Sequence, residues 1–168
     1  MSTSQASAAS FLGSTCVLYG SQSGFTATAA KQVYSVLERS VRGSVSIHAM
    51  DHVDFAQLAA VDTLVVLTST WESDAGLMPQ NAVRFWAWLR AQPLAGLGSL
   101  LARARFAVCG FGSQKYRYYC GFAVQLHEAF LRLGAAPLVD LARIDVDTPD
   151  RGRKAHTRWA RGLLAALQ

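Results

Sequence analysis

The stretch Thr15-Cys-Val-Leu-Tyr-Gly-Ser-Gln-Ser-Gly-Phe-Thr26 runs from an apolar segment into a turn of Gly, Ser and Gln. Beyond the turn the pattern is helical. From Phe25 to Arg39 the apolar residues Ala29, Val33, Val36 and Leu37 fall at i, i+4, i+7 and i+8, one face of a helix. Strand, short polar turn and helix is the opening of an α/β unit. The start of such a helix presents unpaired N–H groups and a partial positive charge. Ser21, Ser23 and Thr26 add hydroxyls there and Gln22 adds an amide. Together they can wrap a terminal phosphate. No GK[ST] follows, and Lys31 lies well into the helix, so this is no Walker loop. A phosphate here would be held by neutral donors alone. The other reading is an ordinary capped helix behind a Ser-rich turn.

The same alternation continues outward. Ser44–Met50 alternates at Val45 and Ile47 as a second strand, and Thr63–Thr68 is apolar enough for a strand covered on both faces. A loop spans Ser69–Gln80, and a helix is expected from Asn81, with Asn81 as its cap and Ala82, Phe85, Trp86 and Leu89 on one side. Pro93–Gly98 breaks it. Arg105–Cys109 reads as the fourth strand and Gly110–Cys120 as its loop. Phe122, Leu126, Ala129, Phe130 and Leu133 form a helical stripe closed by Gly134. Ala136–Leu141 reads as the fifth strand, and Ala155, Trp159, Leu163 and Ala166 mark a last helix. Strands alternating with helices predict an α/β three-layer sandwich, a five-stranded parallel sheet with helices on both faces. Ligands of such sheets bind beyond the carboxyl ends of the strands.

Composition agrees with a packed core. Hydrophobic residues make up 51% of the 168 and charged residues 16%, which excludes a disordered chain. The three cysteines (Cys16, Cys109, Cys120) are scattered, so neither a zinc site nor a disulfide framework is expected. Cys16 and Cys109 are expected as buried small hydrophobes. Residues 1–14 are Ser/Ala-rich with neither a basic start nor an apolar stretch, and read as a mobile tail of a cytoplasmic protein. Residues 15–168 read as one domain. Charge is polarised: residues 1–80 carry three basic and six acidic side chains, residues 81–168 thirteen basic and five acidic. That polarity suits an acidic partner or simply solvates a basic face. Nucleic acid is a poor fit, because the bases are spread along helices without interleaved aromatics. His48, His52, His127 and His156 read as structural.

Two further loops carry exposed aromatics. Trp71 follows the third strand; Tyr116, Tyr118 and Tyr119 follow the fourth. Aromatics at one edge of a sheet can sandwich a flat ring by offset stacking. Trp86, Trp88 and Trp159 lie on helices, where packing is expected.

Four segments together resemble the FMN domain of the diflavin reductases, a family that includes sulfite reductase flavoproteins and cytochrome reductases. They are Tyr19-Gly-Ser-Gln-Ser-Gly24, Leu67-Thr-Ser-Thr70, Pro79-Gln-Asn81 before Phe85-Trp86, and Phe106-Ala-Val-Cys-Gly-Phe-Gly112 with Tyr116. The resemblance covers residues 15–168 and implies the flavodoxin-like fold with FMN as cofactor. It implies that Ser21, Gln22, Ser23, Gly24, Phe25 and Thr26 hold the phosphate. Ser69, Thr70, Trp71 and Glu72 would lie along the ring, and Tyr116 would stack on its other face. Phe111, Gly112, Ser113, Gln114, Lys115, Arg117, Tyr118, Tyr119 and Cys120 would complete the pocket. Asp145 would stand near the ribityl end or the ring edge.

The implied activity is single-electron transfer between a reductase and an acceptor protein. No FAD or nicotinamide domain follows, so the chain is not expected to act as a complete reductase alone. Two departures from the family pattern matter. Glu72-Ser73-Asp74 stands where the family has a Gly-acid-Gly sequence that lets the backbone approach the flavin. That motivates an alternative, an interaction module with weakened or lost FMN binding. The family's surface near the flavin is acidic, whereas here Lys115, Arg117, Lys154, Arg158 and Arg161 are basic, so a docking face of reversed polarity is expected.

Overall fold

A computed structural model describes residues 13–94 and 99–168. The expected tail therefore lies outside the described residues over 1–12, but Ser14, expected within it, already opens the first strand. In chain order the elements are β1 (Ser14–Gly20), α1 (Phe25–Ser40), β2 (Ser44–Ala49), α2 (Phe55–Leu58), β3 (Thr63–Ser69), α3 (Val83–Arg90), β4 (Arg105–Gly112), α4 (Gly121–Arg132), β5 (Ala136–Pro137), β6 (Ala142–Asp145) and α5 (Arg153–Leu167). The strands are all parallel, in the order β2-β1-β3-β4-β5, with β6 also pairing β4.

Side-chain alternation along each strand builds two cores. Cys16, Leu18, Leu64, Val66, Phe106 and Val108 face α3 and α4, where Phe85, Phe122 and Phe130 are fully buried. Val17, Val65, Leu67, Ala107 and Cys109 face α1 and α5, against Val33, Leu37, Trp159 and Leu163. Burying each such side chain contributes roughly 1.5–3 kcal/mol, offset by chain entropy. The helix tryptophans pack as expected: Trp86 meets Phe122 edge-on and Trp88 stacks on Phe55 with centroids 4.8 Å apart.

Three sequence expectations need correction. The fifth strand is two pieces. Leu138 N still donates to Phe106 O, but the chain then leaves the sheet and returns only at Ala142, where Ile144 supplies the buried side chain. The apolar run Ala136–Leu141 holds only half of the strand, and the polar-looking Ala142–Asp145 holds the other half. Asn81 does not cap α3; it lies in a 3-10 turn (Gln80–Ala82) and its carboxamide is used elsewhere. The single-turn helix α2 adds to the expected elements; Asp54 caps it by accepting from Ala56 N at 3.0 Å.

Candidate functional site

The carboxyl ends of β1, β3 and β4 open into one cavity of about 460 Å³, within the usual range for small-molecule sites. Loops from the sequence-predicted places form its walls, and each loop is tied down by its own hydrogen bonds.

The first loop is held by side chains from two directions. Ser21 N donates to Asn81 Oδ1 at 2.8 Å, which is where the expected cap went. Gly24 N donates to Ser21 Oγ at 3.0 Å, and Gln80 N to Gln22 Oε1 at 3.0 Å. Ser21 and Gly24 therefore shape the loop instead of lining the cavity, while Gln22, Ser23, Phe25 and Thr26 do line it. Gly24 takes a left-handed φ of 88° just before α1. No side chain caps α1 and no acid sits in its first turn, so its leading N–H groups keep their donor capacity. Thr26 is 1% exposed yet contributes to the cavity lining.

The second loop is a small hairpin. Trp71 N donates to Leu77 O, and Ser73 and Gly76 exchange both backbone bonds around Asp74-Ala75. Gly76 carries the turn's positive φ of 123°; Glu72 has none, so the loop is built without glycine at that place. Thr70 Oγ1 accepts from Phe122 N at 3.1 Å, which ties the hairpin base to the start of α4. Ser69 Oγ is buried without a hydrogen-bond partner at the cavity wall. Trp71 is 51% exposed at one rim and Tyr116 75% exposed on the third loop. Both line the cavity, as does Glu72. Large aromatics held this open have surface left to bury against a flat ligand.

The third loop adds Phe111, Gly112, Ser113, Tyr118, Tyr119 and Cys120 to the lining. Tyr119 OH donates to Arg143 O at 2.8 Å, and the Arg143 guanidinium lies 4.7 Å over the Tyr119 ring. Cys120 stands at φ 53° before α4, and burial pushes its thiol up to about 11. It is a neutral packing group. Cys16 and Cys109 are buried as expected, with their thiols also raised by burial. Gln114, Lys115 and Arg117 are exposed and do not line the cavity. Lys115 pairs with Asp147 at 3.5 Å and Arg117 lies 5.3 Å over the Tyr118 ring.

Asp145 is not at the cavity either. Its carboxylate accepts from Asp147 N at 3.0 Å, within its own loop. The acid that reaches the third loop is Asp147, which accepts from Ser113 Oγ; that bond, with Lys115 nearby, holds its carboxyl below the usual range. Sequence reasoning also missed Val146 and Arg151. The Arg151 guanidinium lies 5.1 Å over the Phe25 ring, beside the start of α1. The anion loop is thus not without a cation. Only Gly152, marking a sharp turn before a helix, could have hinted at this.

The basic stripe Lys154, Arg158 and Arg161 is exposed along α5. The described residues contain no cluster of His, Cys, Asp or Glu fit to hold a metal. No helix among them is long and apolar enough to cross a membrane. The free donors at α1, the Thr26 and Ser69 hydroxyls, the two aromatic rims and the cavity size suit a phosphorylated planar ligand such as FMN.

Residues 17–159 match the family model described as flavodoxin. Over 90% of the chain the sequence is 33% identical to the sulfite reductase [NADPH] subunit beta of Schizosaccharomyces pombe, of which it spans a tenth (10%). It is 30% identical to a flavodoxin of Nitratidesulfovibrio vulgaris, covering 90% of this chain and 97% of that one. A Streptococcus pneumonia TIGR4 flavodoxin superposes with a TM-score of 0.73 at 20% identity, over 90% of this chain and 98% of the other, which is a likeness of fold.

Proposed function

The chain belongs to the flavodoxin family, whose members bind FMN and transfer electrons, and from that premise we propose that it passes single electrons between a reductase and an acceptor protein. The observation that carries this reading is the joining of two features in one cavity: an uncapped α1 start and a pair of exposed aromatic rims. Bound FMN supplies the one-electron chemistry; the protein supplies stacking, hydrogen bonds and local charge.

Each residue takes its role from its place. The first-turn N–H groups of α1, with Ser23 and Thr26, take the phosphate. Trp71 and Tyr116 enclose the ring and exclude water from its faces. Ser69, Thr70 and the backbone of Phe111–Ser113 meet its polar edge. Cys120 stays protonated at neutral pH, since burial pushes its thiol to about 11, and packs as a neutral group. Reduction of a flavin adds negative charge, so Arg151 and the exposed Lys115, Arg117 and Lys154 favour it and Glu72 opposes it. The exposed Lys115, Arg117 and Lys154, with Arg158 and Arg161 along α5, form a docking face for an acidic partner protein. A cytoplasmic setting and a domain over residues 15–168 belong to the same reading.

The test is direct. The purified protein is expected to carry a yellow chromophore, or to quench the fluorescence of added FMN at one equivalent. Colourless protein that leaves FMN emission unchanged would favour the interaction module instead.

A further inference from the structure

The loop from β6 to α5 places a cation where the sequence offered only neutral donors. Arg151 holds a left-handed φ of 54°, a strained conformation for any residue with a Cβ. Its guanidinium rests over the Phe25 ring, and Phe25 is the first residue of α1. No ion pair engages it among the described residues. The adjacent carboxylate is already committed: Asp150 accepts from Lys154 N at 2.8 Å and from Gly152 N and Thr148 Oγ1. Asp147 is likewise taken by Ser113 and Lys115. A strained cation thus stands beside the positive end of α1 with no ion pair to offset its charge. Thr26, 1% exposed, is among the residues that line the same cavity at that end.

We propose that Arg151 is the counter-cation of the bound nucleotide's phosphate, and that it makes this cavity select phosphorylated flavin over the unphosphorylated riboflavin. This rests on the FMN reading above and adds a residue to it. A guanidinium offers a planar pair of N–H donors to a phosphate, on top of its charge. The Phe25 ring holds the guanidinium by cation–π attraction, close to where the phosphate docks. Specificity follows from charge: riboflavin has the same ring but gains nothing from Arg151.

The experiment measures dissociation constants for FMN and for riboflavin by fluorescence quenching, with wild-type protein, Arg151→Gln and Arg151→Lys. Thermal unfolding checks that each variant is folded. Arg151→Gln is expected to weaken FMN about tenfold, the worth of one partly screened charge pair, and riboflavin less than about twofold. Arg151→Lys should recover part of the FMN loss. Added salt should weaken FMN binding more in the wild type than in Arg151→Gln. If the wild type binds FMN and the Gln variant binds it equally well, the role of Arg151 is overturned while the FMN reading stands. Equal losses for FMN and riboflavin would move Arg151 to the ring or ribityl chain and also overturn it. A wild type that binds neither flavin removes the reading beneath both.

Discussion

Two helices of this molecule begin in the same way and finish the task differently. Both α1 and α5 follow a left-handed glycine, Gly24 at φ 88° and Gly152 at φ 77°. At α5 the leading donors are consumed at once: the Asp150 carboxylate takes the N–H groups of Gly152 and Lys154. At α1 no side chain caps the helix, and Ser21 Oγ takes only the N–H of Gly24 itself. A helix start that satisfies itself is structural; one that leaves its donors facing a cavity is prepared for an anion. The surroundings differ in the same sense. A Cβ on Gly24 would meet nothing within 4 Å, whereas one on Gly152 would come within 2.3 Å of Ile144 Cγ2 and 3.1 Å of Asp145 O. The α5 start is packed against the sheet, and the α1 start stands open.

The largest effect expected from this contrast is on stability. Gly152→Ala combines left-handed strain with a collision against β6, at a cost of about 3 kcal/mol. Gly24→Ala suffers only the conformational part, about 1 kcal/mol. Thermal unfolding should therefore fall by roughly 10 °C for the first and about 3 °C for the second. Equal shifts would mean that the two starts are equally packed, and the contrast would fail.

A smaller effect sharpens the electrostatic half of the comparison. Ser23→Asp gives α1 the kind of carboxylate that α5 already has. The folded protein is expected to gain about 0.5 kcal/mol from the helix dipole. FMN should bind about thirtyfold more weakly, because a phosphate then meets a like charge at close range, worth about 2 kcal/mol. Fluorescence titration beside thermal melts separates the two. A variant that is more stable and binds FMN as before would show that the phosphate docks elsewhere.

The sequence makes one of these helix starts legible and hides the other, for physical reasons. Thr15–Tyr19 and Thr63–Thr68 are continuous apolar runs, so their strands and the loops after them announce themselves. Hydroxyls packed between two glycines mark the α1 turn. The β6 side of the cavity has no such pattern. Pro137 offers no N–H and Asp140 interrupts the run, so the strand is broken and its second half, Ala142–Asp145, shows a single buried apolar residue, Ile144. Register then slips for everything beyond: the resemblance puts Asp145 at the ligand, but Val146 and Arg151 line the cavity. Asn81 misleads for a related reason. It has the chemistry of a cap, and it does accept a backbone N–H, but from Ser21 across 60 positions of sequence. Residue type reveals hydrogen-bonding capacity; only the fold decides the partner.

The smallest effect concerns protons, and both groups involved belong to the α5 side, His156 on the helix and Asp150 just ahead of its Gly152 cap. His156 is buried on α5, tilted against Phe111 at 5.5 Å and stacked on Trp159 at 6.2 Å, with its Nε2 unpartnered. Burial lowers its pKa from the ordinary 6.5. The unfolded chain therefore takes up the proton first, and stability falls as pH drops below about 6.5. Asp150 works in a separate window. Hydrogen bonds from the Lys154 backbone and the Thr148 hydroxyl hold its carboxyl below the ordinary 3.8, so its contribution is lost only as pH falls beneath that value. His156→Phe should flatten the dependence of the melting temperature on pH below 6.5, leaving the part due to His127, whose pKa burial also lowers. The steeper acid limb should survive in His156→Phe and weaken in Asp150→Asn. If His156→Phe leaves the upper limb unchanged, the proton is taken up elsewhere, and the buried floor beneath Phe111 is not the acid-sensitive side of the cavity.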